Sequence, residues 1–329
     1  MGEKIEKELK WAVLGTGVIA NEMAQALEKM GKKLYAVANR THSKAVEFAK
    51  KYGVEKVYDK IEDMFTDKET DIIYITTPHN THIKFMIEAL KNGKHVLCEK
   101  SITLNSEELE EAVKIAKEKN LILGEAMTIF NMPLYTELSE IVNSGKLGDV
   151  RMIQVNFGSY KEYDMNNRFF NRNLAGGALL DIGVYAISIT RLFMTSKPDN
   201  VLSQVKYAPT GVDEQASIIM MNKEQQMSTI ALTLHSKQPK RVVIACEKAY
   251  IEITEYPRAD KAKIVYTETG EIEEITAGMT ANALQYELQN MEESVKTGIN
   301  KMKLEYTIDV MDIMTKLRKE WGMTYPEEE

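Results

Sequence analysis

The sequence predicts an α/β protein with a doubly wound parallel sheet, followed by an α+β domain built on a largely antiparallel open sheet. Short apolar runs alternate with amphipathic helical segments over residues 11–126, a pattern typical of βαβ units. From about residue 150 the strand-like runs follow one another with short turns, which indicates antiparallel pairing. A chain of 329 residues is long for one core. We therefore expect two domains, residues 1–124 and 125–329.

The first part of the chain gives five strands and four helices in alternation. The predicted strands are WAVLG, KLYAVAN, DIIYITT, HVLCEK and LILGEA. The predicted helices between them are IANEMAQALEKMG, SKAVEFAKKYG, THIKFMIEALKNG and SEELEEAVKIAKEKN. The last of these helices begins with a capping-box-like pair, Asn105 and Glu108.

The second part of the chain is dominated by strand-like runs. They are VRMIQVNFGSY, ASIIMMN, STIALTLHS, RVVIACEKAYIEITEY and AKIVYTETGEIEEITA. An apolar helical run follows Gly176 and Gly177, and helical periodicity returns from about residue 280 to the end. These patterns predict an α+β arrangement.

Composition excludes several classes of function. The 42 Lys and Arg residues against 49 Asp and Glu residues give a formal net charge of −7, so we expect neither a nucleic-acid nor a membrane partner. Cys98 and Cys246 form no CxxC pair, and the charged N-terminus does not resemble a signal peptide. No apolar run approaches the about 18 residues of a membrane span. We therefore expect a cytoplasmic protein that acts on a small-molecule substrate.

The stretch GTGVIA stands where the first strand passes into the first helix. Gly15 permits a tight turn and Gly17 lets the backbone approach a pyrophosphate, which the N–H groups at the helix start can bind. With βαβ units around it, this fingerprint predicts a Rossmann dinucleotide site that includes Gly15, Thr16, Gly17, Val18 and Ile19.

The end of the second strand indicates which dinucleotide is bound. NAD binding favours an Asp or Glu here, whereas this chain has Asn39 followed by Arg40. A guanidinium group binds a 2′-phosphate through charge-assisted hydrogen bonds, so NADP is favoured. NAD, with Arg40 as a solvated surface residue, is the alternative.

The loop after the third long strand supplies further cofactor residues. Because ligands of open α/β sheets bind at the carboxyl ends of the strands, this loop should lie beside the dinucleotide. The residues predicted to contact the cofactor are Thr77, Pro78, His79, Asn80 and His82. The two histidines lack a Cys or carboxylate companion, so we predict no metal site.

Two further pairs of polar residues lie in apolar segments that would otherwise be predicted to form buried core. Glu99 and Lys100 end an apolar strand at the same sheet edge, which predicts that they reach the nicotinamide; the alternative is a solvated ion pair. Asp181 and Tyr185 are four residues apart on one helix face, which predicts site residues. The alternative there is a buried tyrosine whose hydroxyl bonds to Asp181.

The motifs AVLGTGVIA, TTPHNTH, HVLCEK, GEAM and GGALLDIGVY, in this order, resemble those of the Gfo/Idh/MocA oxidoreductases. The residues of these motifs are most similar to those of the branch that contains dihydrodiol dehydrogenase, xylose dehydrogenase and glucose-fructose oxidoreductase. The resemblance implies NADP(H)-dependent hydride transfer at a sugar, polyol or dihydrodiol, and a homodimer or homotetramer formed through the C-terminal sheet. An NAD-dependent inositol or sugar dehydrogenase and a non-catalytic NAD(P)-binding regulator are the alternatives.

The resemblance also implies roles for individual residues. Lys100, Tyr185 and Asp181 become the catalytic residues, and together with Arg168 they bind substrate. We expect the Lys100 ammonium to lower the pKa of Tyr185 so that the phenol can act as a base. Ser101 stands where the family has proline, and a cis bond before serine would cost about 3–4 kcal/mol, so we expect a trans peptide.

Overall fold

A computed structural model describes residues 8–329 and confirms the predicted α/β architecture. The first sheet has six strands in the order β3-β2-β1-β4-β5-β6, all parallel. Its strands are β1 (Trp11–Leu14), β2 (Ala36–Ala38), β3 (Lys56–Val57), β4 (Ile72–Ile75), β5 (His95–Glu99) and β6 (Leu123–Ala126). The helices that connect them are α1 (Val18–Lys29), α2 (His42–Tyr52), α3 (Ile61–Thr66), α4 (His82–Lys91) and α5 (Ser106–Glu118). The strand order reverses at β1, so a crevice lies at the carboxyl ends of β1 and β4.

The second sheet has eight strands in the order β14-β13-β12-β11-β7-β10-β9-β8 and is antiparallel except between β7 and β10. Its strands are β7 (Val150–Gly158), β8 (Asn200–Tyr207), β9 (Asp213–Met221), β10 (Met227–Thr233), β11 (Gln238–Cys246), β12 (Ala249–Thr254), β13 (Lys261–Tyr266) and β14 (Ile272–Thr276). The remaining helices are α6 (Thr128–Asn131), α7 (Pro133–Asn143), α8 (Val184–Phe193), α9 (Ala283–Thr297) and α10 (Leu304–Glu320). One face of this sheet packs against helices, α8 among them, and the other face is open.

The two sheets are joined more closely than a simple boundary at residue 124 implies. Strand β6 runs across that position, and the C-terminal helices return to the first sheet, with α9 against α1 and α10 against α5 and β6. The Trp11 indole donates a hydrogen bond to Glu292 Oε1 at 3.0 Å. A Cβ at Gly124 would come within 2.7 Å of Met302, so glycine here allows the C-terminal segment to pack on β6. The division into two domains stays a prediction.

Helix α5 begins as its sequence predicts. The Asn105 side chain accepts a hydrogen bond from the Glu108 backbone N–H at 2.9 Å, and the Glu108 carboxylate accepts from the Leu104 N–H at 2.9 Å. Two backbone donors at the helix start are therefore satisfied by side chains. These hydrogen bonds fix the segment between β5 and α5.

One helical stretch, Arg172–Phe193, passes a test of length and apolar composition for membrane spans. However, 83% of its most apolar window is buried inside the fold, as in the core helix of a globular protein. Its centre is a π-helical turn, Leu179–Gly183, that runs directly into α8. Such turns occur mostly as single insertions in α-helices and often at functional sites.

Candidate active site

The glycine loop after β1 has the geometry of a pyrophosphate cradle. Gly15 has φ of +114°, and a Cβ there would clash with Thr76 Oγ1, so only glycine fits. Gly17 faces open space, since a Cβ there would meet no atom within 4 Å. The Asn21 side chain donates to Gly17 O at 2.8 Å and to Thr16 O at 3.2 Å, which fixes the loop. A phosphate can therefore approach the N–H groups at the start of α1.

A cavity of about 500 Å³ opens beside this loop at the crevice. Eight predicted cofactor residues line it, namely Gly15, Thr16, Gly17, Asn39, Arg40, Thr77, Pro78 and Asn80. Sequence reasoning missed other lining residues, among them Thr41, Lys44, Thr76, Phe85 and Leu174. The buried Asn80 Oδ1 has no hydrogen-bond partner among the described residues, so a ligand donor would satisfy it. The residues that line the cavity suit a dinucleotide.

The far end of the cavity is cationic. The Asn39 amide is held in place, because it donates to Thr16 Oγ1 at 2.8 Å and accepts from the Thr41 N–H at 2.8 Å. Arg40 and Lys44 both line the cavity, and no carboxylate in residues 8–329 forms an ion pair with either. Lys44 lies in the first turn of α2, four residues after Arg40, and a second cation so close to the end of β2 is the sequence signal that could have identified it.

Six other predicted cofactor residues lie outside the lining of this cavity, namely Val18, Ile19, His79, His82, Glu99 and Lys100. Val18 is 79% exposed at the start of α1, and Ile19 packs against the core of the first sheet. His82 is fully buried, with its ring nitrogens 2.7 Å from Thr77 O and 3.1 Å from Ser101 O. Glu99 is largely enclosed and accepts a hydrogen bond from the Tyr74 hydroxyl. His82 and Glu99 therefore support the loops around the crevice.

Lys100 lies at the end of β5 and reaches the helical run of the second part of the chain. Its Nζ donates to the Asp181 backbone carbonyl at 2.6 Å and lies 3.3 Å from Asp181 Oδ1. The same ammonium is 4.8 Å from the centre of the Tyr185 ring. The Lys100 and Asp181 side chains are only 14% and 12% exposed, unlike a solvated ion pair. The structure thus brings the three predicted catalytic residues together.

Arg168, the remaining predicted substrate residue, lies at the outer side of this cluster. Its Nη2 is 3.8 Å from Asp181 Oδ1, and its side chain is 59% exposed. No hydrogen bond joins the Tyr185 hydroxyl to Asp181 within the described part of the chain, so the phenol is not held by that carboxylate. The Tyr185 hydroxyl can therefore bond to a ligand.

The protonation states differ from the expectation for Tyr185. Burial raises the pKa of Tyr185 to about 12, and the opposing effect of the Lys100 ammonium is too small to reverse this. Burial by itself lowers the pKa of Lys100, but Tyr185, Asp181 and Glu99 raise it above its ordinary value. The expected effect of Lys100 is therefore present, but it does not by itself leave Tyr185 ionised at neutral pH. Both groups carry their protons at neutral pH and are hydrogen-bond donors.

His79 lies between the cavity-lining residues Pro78 and Asn80 and contacts the backbone of Lys100. Burial and the neighbouring His82 and Lys100 lower the pKa of His79 to about 3, so its ring is neutral. A neutral ring 3.0 Å from the Lys100 carbonyl donates through Nε2. Among residues 8–329 no cluster of three or more His, Cys, Asp or Glu side chains could hold a metal ion.

The peptide bond between Lys100 and Ser101 is cis, so the predicted trans bond is wrong. Hydrogen bonds surround this bond: Ser101 Oγ donates to Leu180 O at 2.9 Å, and Lys100 O accepts from His79. The intrinsic preference of the peptide bond alone predicts trans. No local sequence pattern shows these contacts with the helical run and with the loop after β4.

Residues of the GEAM and GGALLDIGVY motifs support the cluster of Lys100, Asp181 and Tyr185. Glu125, in the GEAM motif, accepts from the Ile102 N–H at 3.1 Å and so fixes the backbone after Lys100. A Cβ at Gly176 would be 2.6 Å from Arg168 O, so this glycine lets the Arg168 segment lie against the start of the helical run. The carboxylate of Asp213 accepts from the Leu179 N–H at 2.6 Å and satisfies the first turn of that run.

Comparison with known protein families agrees with this geometry. Residues 9–127 match an oxidoreductase family with an NAD-binding Rossmann fold, and residues 135–252 match the C-terminal domain of the Gfo/Idh/MocA proteins. The chain belongs to the Gfo/Idh/MocA family. This Gfo/Idh/MocA protein is therefore an NAD(P)-dependent oxidoreductase.

Curated relatives match nearly the whole length of this Gfo/Idh/MocA protein. A trans-1,2-dihydrobenzene-1,2-diol dehydrogenase from Xenopus laevis is 30% identical over 96% of this chain and 99% of its own. The enzyme of the same name from Homo sapiens is 26% identical over 97% and 99%. These relatives lie in the branch that the motifs indicated.

Solved structures confirm the fold. A 3-ketoreductase from Actinomadura kijaniata, in complex with NADP and TDP-benzene, superimposes with a TM-score of 0.85 at 18% identity, over 95% of this chain and 98% of its own. A levoglucosan dehydrogenase in complex with NADH and levoglucosan has a TM-score of 0.83 at 16% identity, over 95% and 98%. The first of these structures contains NADP and the second NADH.

Proposed function

We propose that this protein uses NADP(H) to interconvert an alcohol and a carbonyl group on a sugar, polyol or dihydrodiol. The observation that carries the proposal is the cluster of Lys100, Asp181 and Tyr185 at the carboxyl end of β5, next to the dinucleotide-sized cavity. The names of the dihydrodiol dehydrogenases and of the levoglucosan dehydrogenase support this class of substrate.

When bound, the nicotinamide supplies a hydride to the carbonyl carbon or accepts one from the carbinol carbon. The protein handles the accompanying proton. Two protonated donors, the Lys100 ammonium and the Tyr185 phenol, are placed to bind the substrate oxygen and to protonate it as it gains negative charge. Asp181 stays ionised, because Lys100 and Arg168 lower its pKa despite burial, and so it holds the Lys100 ammonium in position.

The experiment that tests this function is a panel of aldoses, polyols, dihydrodiols and dicarbonyl compounds. Each compound is assayed with NADPH or NADP⁺, in the direction of reduction or oxidation that it allows. We expect turnover with at least one hydroxyl or carbonyl compound, and Asp181→Asn should lower it. A protein that binds NADPH but converts no member of the panel would contradict the proposal.

The Arg40→Ala variant tests the choice of NADP. Because Arg40 and Lys44 form the cationic end of the cavity, we expect Arg40→Ala to raise the Kd for NADPH about 10- to 100-fold, as for loss of a charge-assisted phosphate contact. The Kd for NADH should not change. Fluorescence titration of both cofactors measures this. Lys91→Ala, an exposed cation at the end of α4, is the matched control.

An equal loss of affinity for NADPH and NADH would contradict the phosphate contact. Tighter binding of NADH than of NADPH by the unaltered protein would favour the NAD-dependent sugar dehydrogenase instead.

We also propose that two copies associate through the open face of the eight-stranded sheet. Apolar side chains lie in two neighbouring rows of this face, beside the polar residues Asn200, Thr229 and Gln154. In one row Met152, Met227 and Met221 are direct neighbours on β7, β10 and β9, and in the next row Leu202 lies opposite Ile219. Leu202 is 62% and Ile219 43% exposed. Exposed apolar side chains that lie side by side on an open sheet face favour an interface.

The Ile219→Asp variant tests this association. A charge in the middle of an apolar interface would be buried without a partner, so we expect Ile219→Asp to reduce the molar mass in sedimentation velocity from dimer to monomer. Val46→Asp is the matched control, because Val46 is similarly exposed, 46%, but lies on α2. A monomeric unaltered protein, or a dimer that survives Ile219→Asp, would contradict the proposal.

A cytoplasmic location is a further proposal. It is supported by Cys98 and Cys246, which are both free thiols in the structure.

A further inference from the structure

Two cations outside the catalytic cluster share one aromatic ring. The guanidinium carbon of Arg168 lies 4.1 Å from the centre of the Phe169 ring, and Lys161 Nζ lies 4.2 Å from the same centre. Arg168 also reaches Asp181 at 3.8 Å, and Asp181 contacts Lys100. A continuous series of contacts therefore connects the catalytic lysine with Lys161.

Backbone hydrogen bonds fix the two segments that carry these cations. The Lys161 N–H donates to Leu234 O at 2.8 Å, which ties this segment to the end of β10. Phe169 O accepts from the Gly177 N–H at 2.9 Å, next to the close approach of Gly176 to Arg168 O. The positions of Lys161 and Arg168 are thus set by the sheet and by the start of the helical run.

The charges at this place do not balance. Two carboxyl groups, Asp181 and Glu99, lie near the three cations Lys100, Arg168 and Lys161. Within residues 8–329 no carboxylate forms an ion pair with Lys161. The next cation, Lys240, already has Glu255 at 3.1 Å. A positive excess therefore remains beside the active site of a chain whose formal net charge is −7. A bound anion would relieve the repulsion between the two cations on the ring.

We propose that Lys161 and Arg168 bind an anionic group of the substrate, a carboxylate or a phosphate, carried on a part of the molecule away from the reacting carbon. This inference rests on the proposed function and narrows its substrates to sugar acids or sugar phosphates. The guanidinium supplies paired donors and the ammonium a point charge, a combination that suits either oxyanion.

The test measures the activity of the unaltered enzyme and of the Lys161→Met variant on neutral and anionic forms of one sugar. Substrates are an aldose, its uronic acid and its terminal phosphate, each assayed with NADPH. We expect the unaltered enzyme to favour one of the anionic forms in kcat/KM, and which one is favoured distinguishes carboxylate from phosphate. Lys161→Met should raise KM for that form about 5- to 50-fold, leaving kcat and the neutral sugar unchanged.

The matched control is Lys223→Met. Lys223 lies in the turn between β9 and β10, at the opposite end of β10 from Leu234, and its side chain is 72% exposed. This variant should leave every KM unchanged. A preference for the neutral sugar, or a ratio of anionic to neutral kcat/KM that Lys161→Met does not alter, would overturn the inference.

A binding experiment separates this inference from the proposed function. The protein is saturated with NADP⁺, so that the cofactor occupies its own phosphate contacts, and is titrated calorimetrically with sodium phosphate and with sodium malonate. Anion binding that Lys161→Met weakens, with no turnover of any sugar, would support the anion site and refute the proposed function. Turnover of neutral sugars without anion binding would support the proposed function and overturn the anion site.

Discussion

Replacing Lys100 with Met is expected to lower kcat about 10²- to 10⁴-fold, the usual contribution of a positioned acid–base group. The ammonium is held at 2.6 Å by the Asp181 carbonyl and lies 4.8 Å from the Tyr185 ring. It is therefore placed to stabilise the negative charge that develops on the substrate oxygen. Methionine keeps most of the length of the side chain and removes the charge. Initial rates of NADPH consumption with a substrate from the panel measure the effect.

The Lys100→Met result can be separated from loss of structure. Because Lys100 does not line the dinucleotide cavity, the Kd for NADPH should stay within a factor of about three of the unaltered protein. Lys91→Met is the matched control and should retain full activity. An unchanged kcat in Lys100→Met would contradict the role of this lysine as proton donor.

Replacing Tyr185 with Phe is expected to lower kcat by a similar factor of about 10² to 10⁴ and to change the pH profile. Because burial raises the pKa of Tyr185 to about 12, the phenol keeps its proton through neutral and moderately alkaline pH. Reduction of a carbonyl needs this proton, so its rate should not depend on Tyr185 ionisation between about pH 6 and pH 9. Oxidation needs the phenolate, so its rate should rise with pH over the same interval.

The pH dependence of oxidation should disappear in Tyr185→Phe, since the titrating phenol has been removed. Measurements of kcat in both directions across the pH range test this. Tyr207→Phe loses a surface hydroxyl that donates to Trp321 O and serves as the control, with both profiles unchanged. An oxidation rate in Tyr185→Phe that still rises with pH would assign the titration to another group.

Five of the six strands in the first sheet could be predicted because each of them is a short apolar run followed by a helical segment. Helix α3 and strand β3 were missed, since two strand residues and six helical residues carry too little periodicity. Strand β8 was missed for another reason. It is the edge of the second sheet and exposes residues on both faces, so its sequence lacks clear alternation.

Site residues could be predicted where the residue type itself is unusual for its sequence context. They could not be predicted where the role depends on contacts that form only in the folded chain. Lys100 and Asp181 were found because a charge at the end of an apolar strand or within an apolar helix needs a partner. The hydrogen-bond partner of Glu99 is Tyr74, which is 25 residues away in the sequence, so no local pattern shows this contact. No local pattern shows the pKa of Tyr185 either. The direction of its pKa shift depends on how far the folded chain excludes water from the phenol.

The central claim is that the cleft around Lys100 and Tyr185 performs hydride transfer rather than nucleotide sensing. The most direct measurement uses NADPH that carries deuterium at the transferable position of C4, with the best carbonyl substrate of the panel and mass spectrometry of the product. We predict an alcohol one mass unit heavier, with deuterium on the carbinol carbon, and a yield strongly reduced in Lys100→Met. A protein that binds the labelled NADPH tightly but forms no deuterated alcohol would contradict the account.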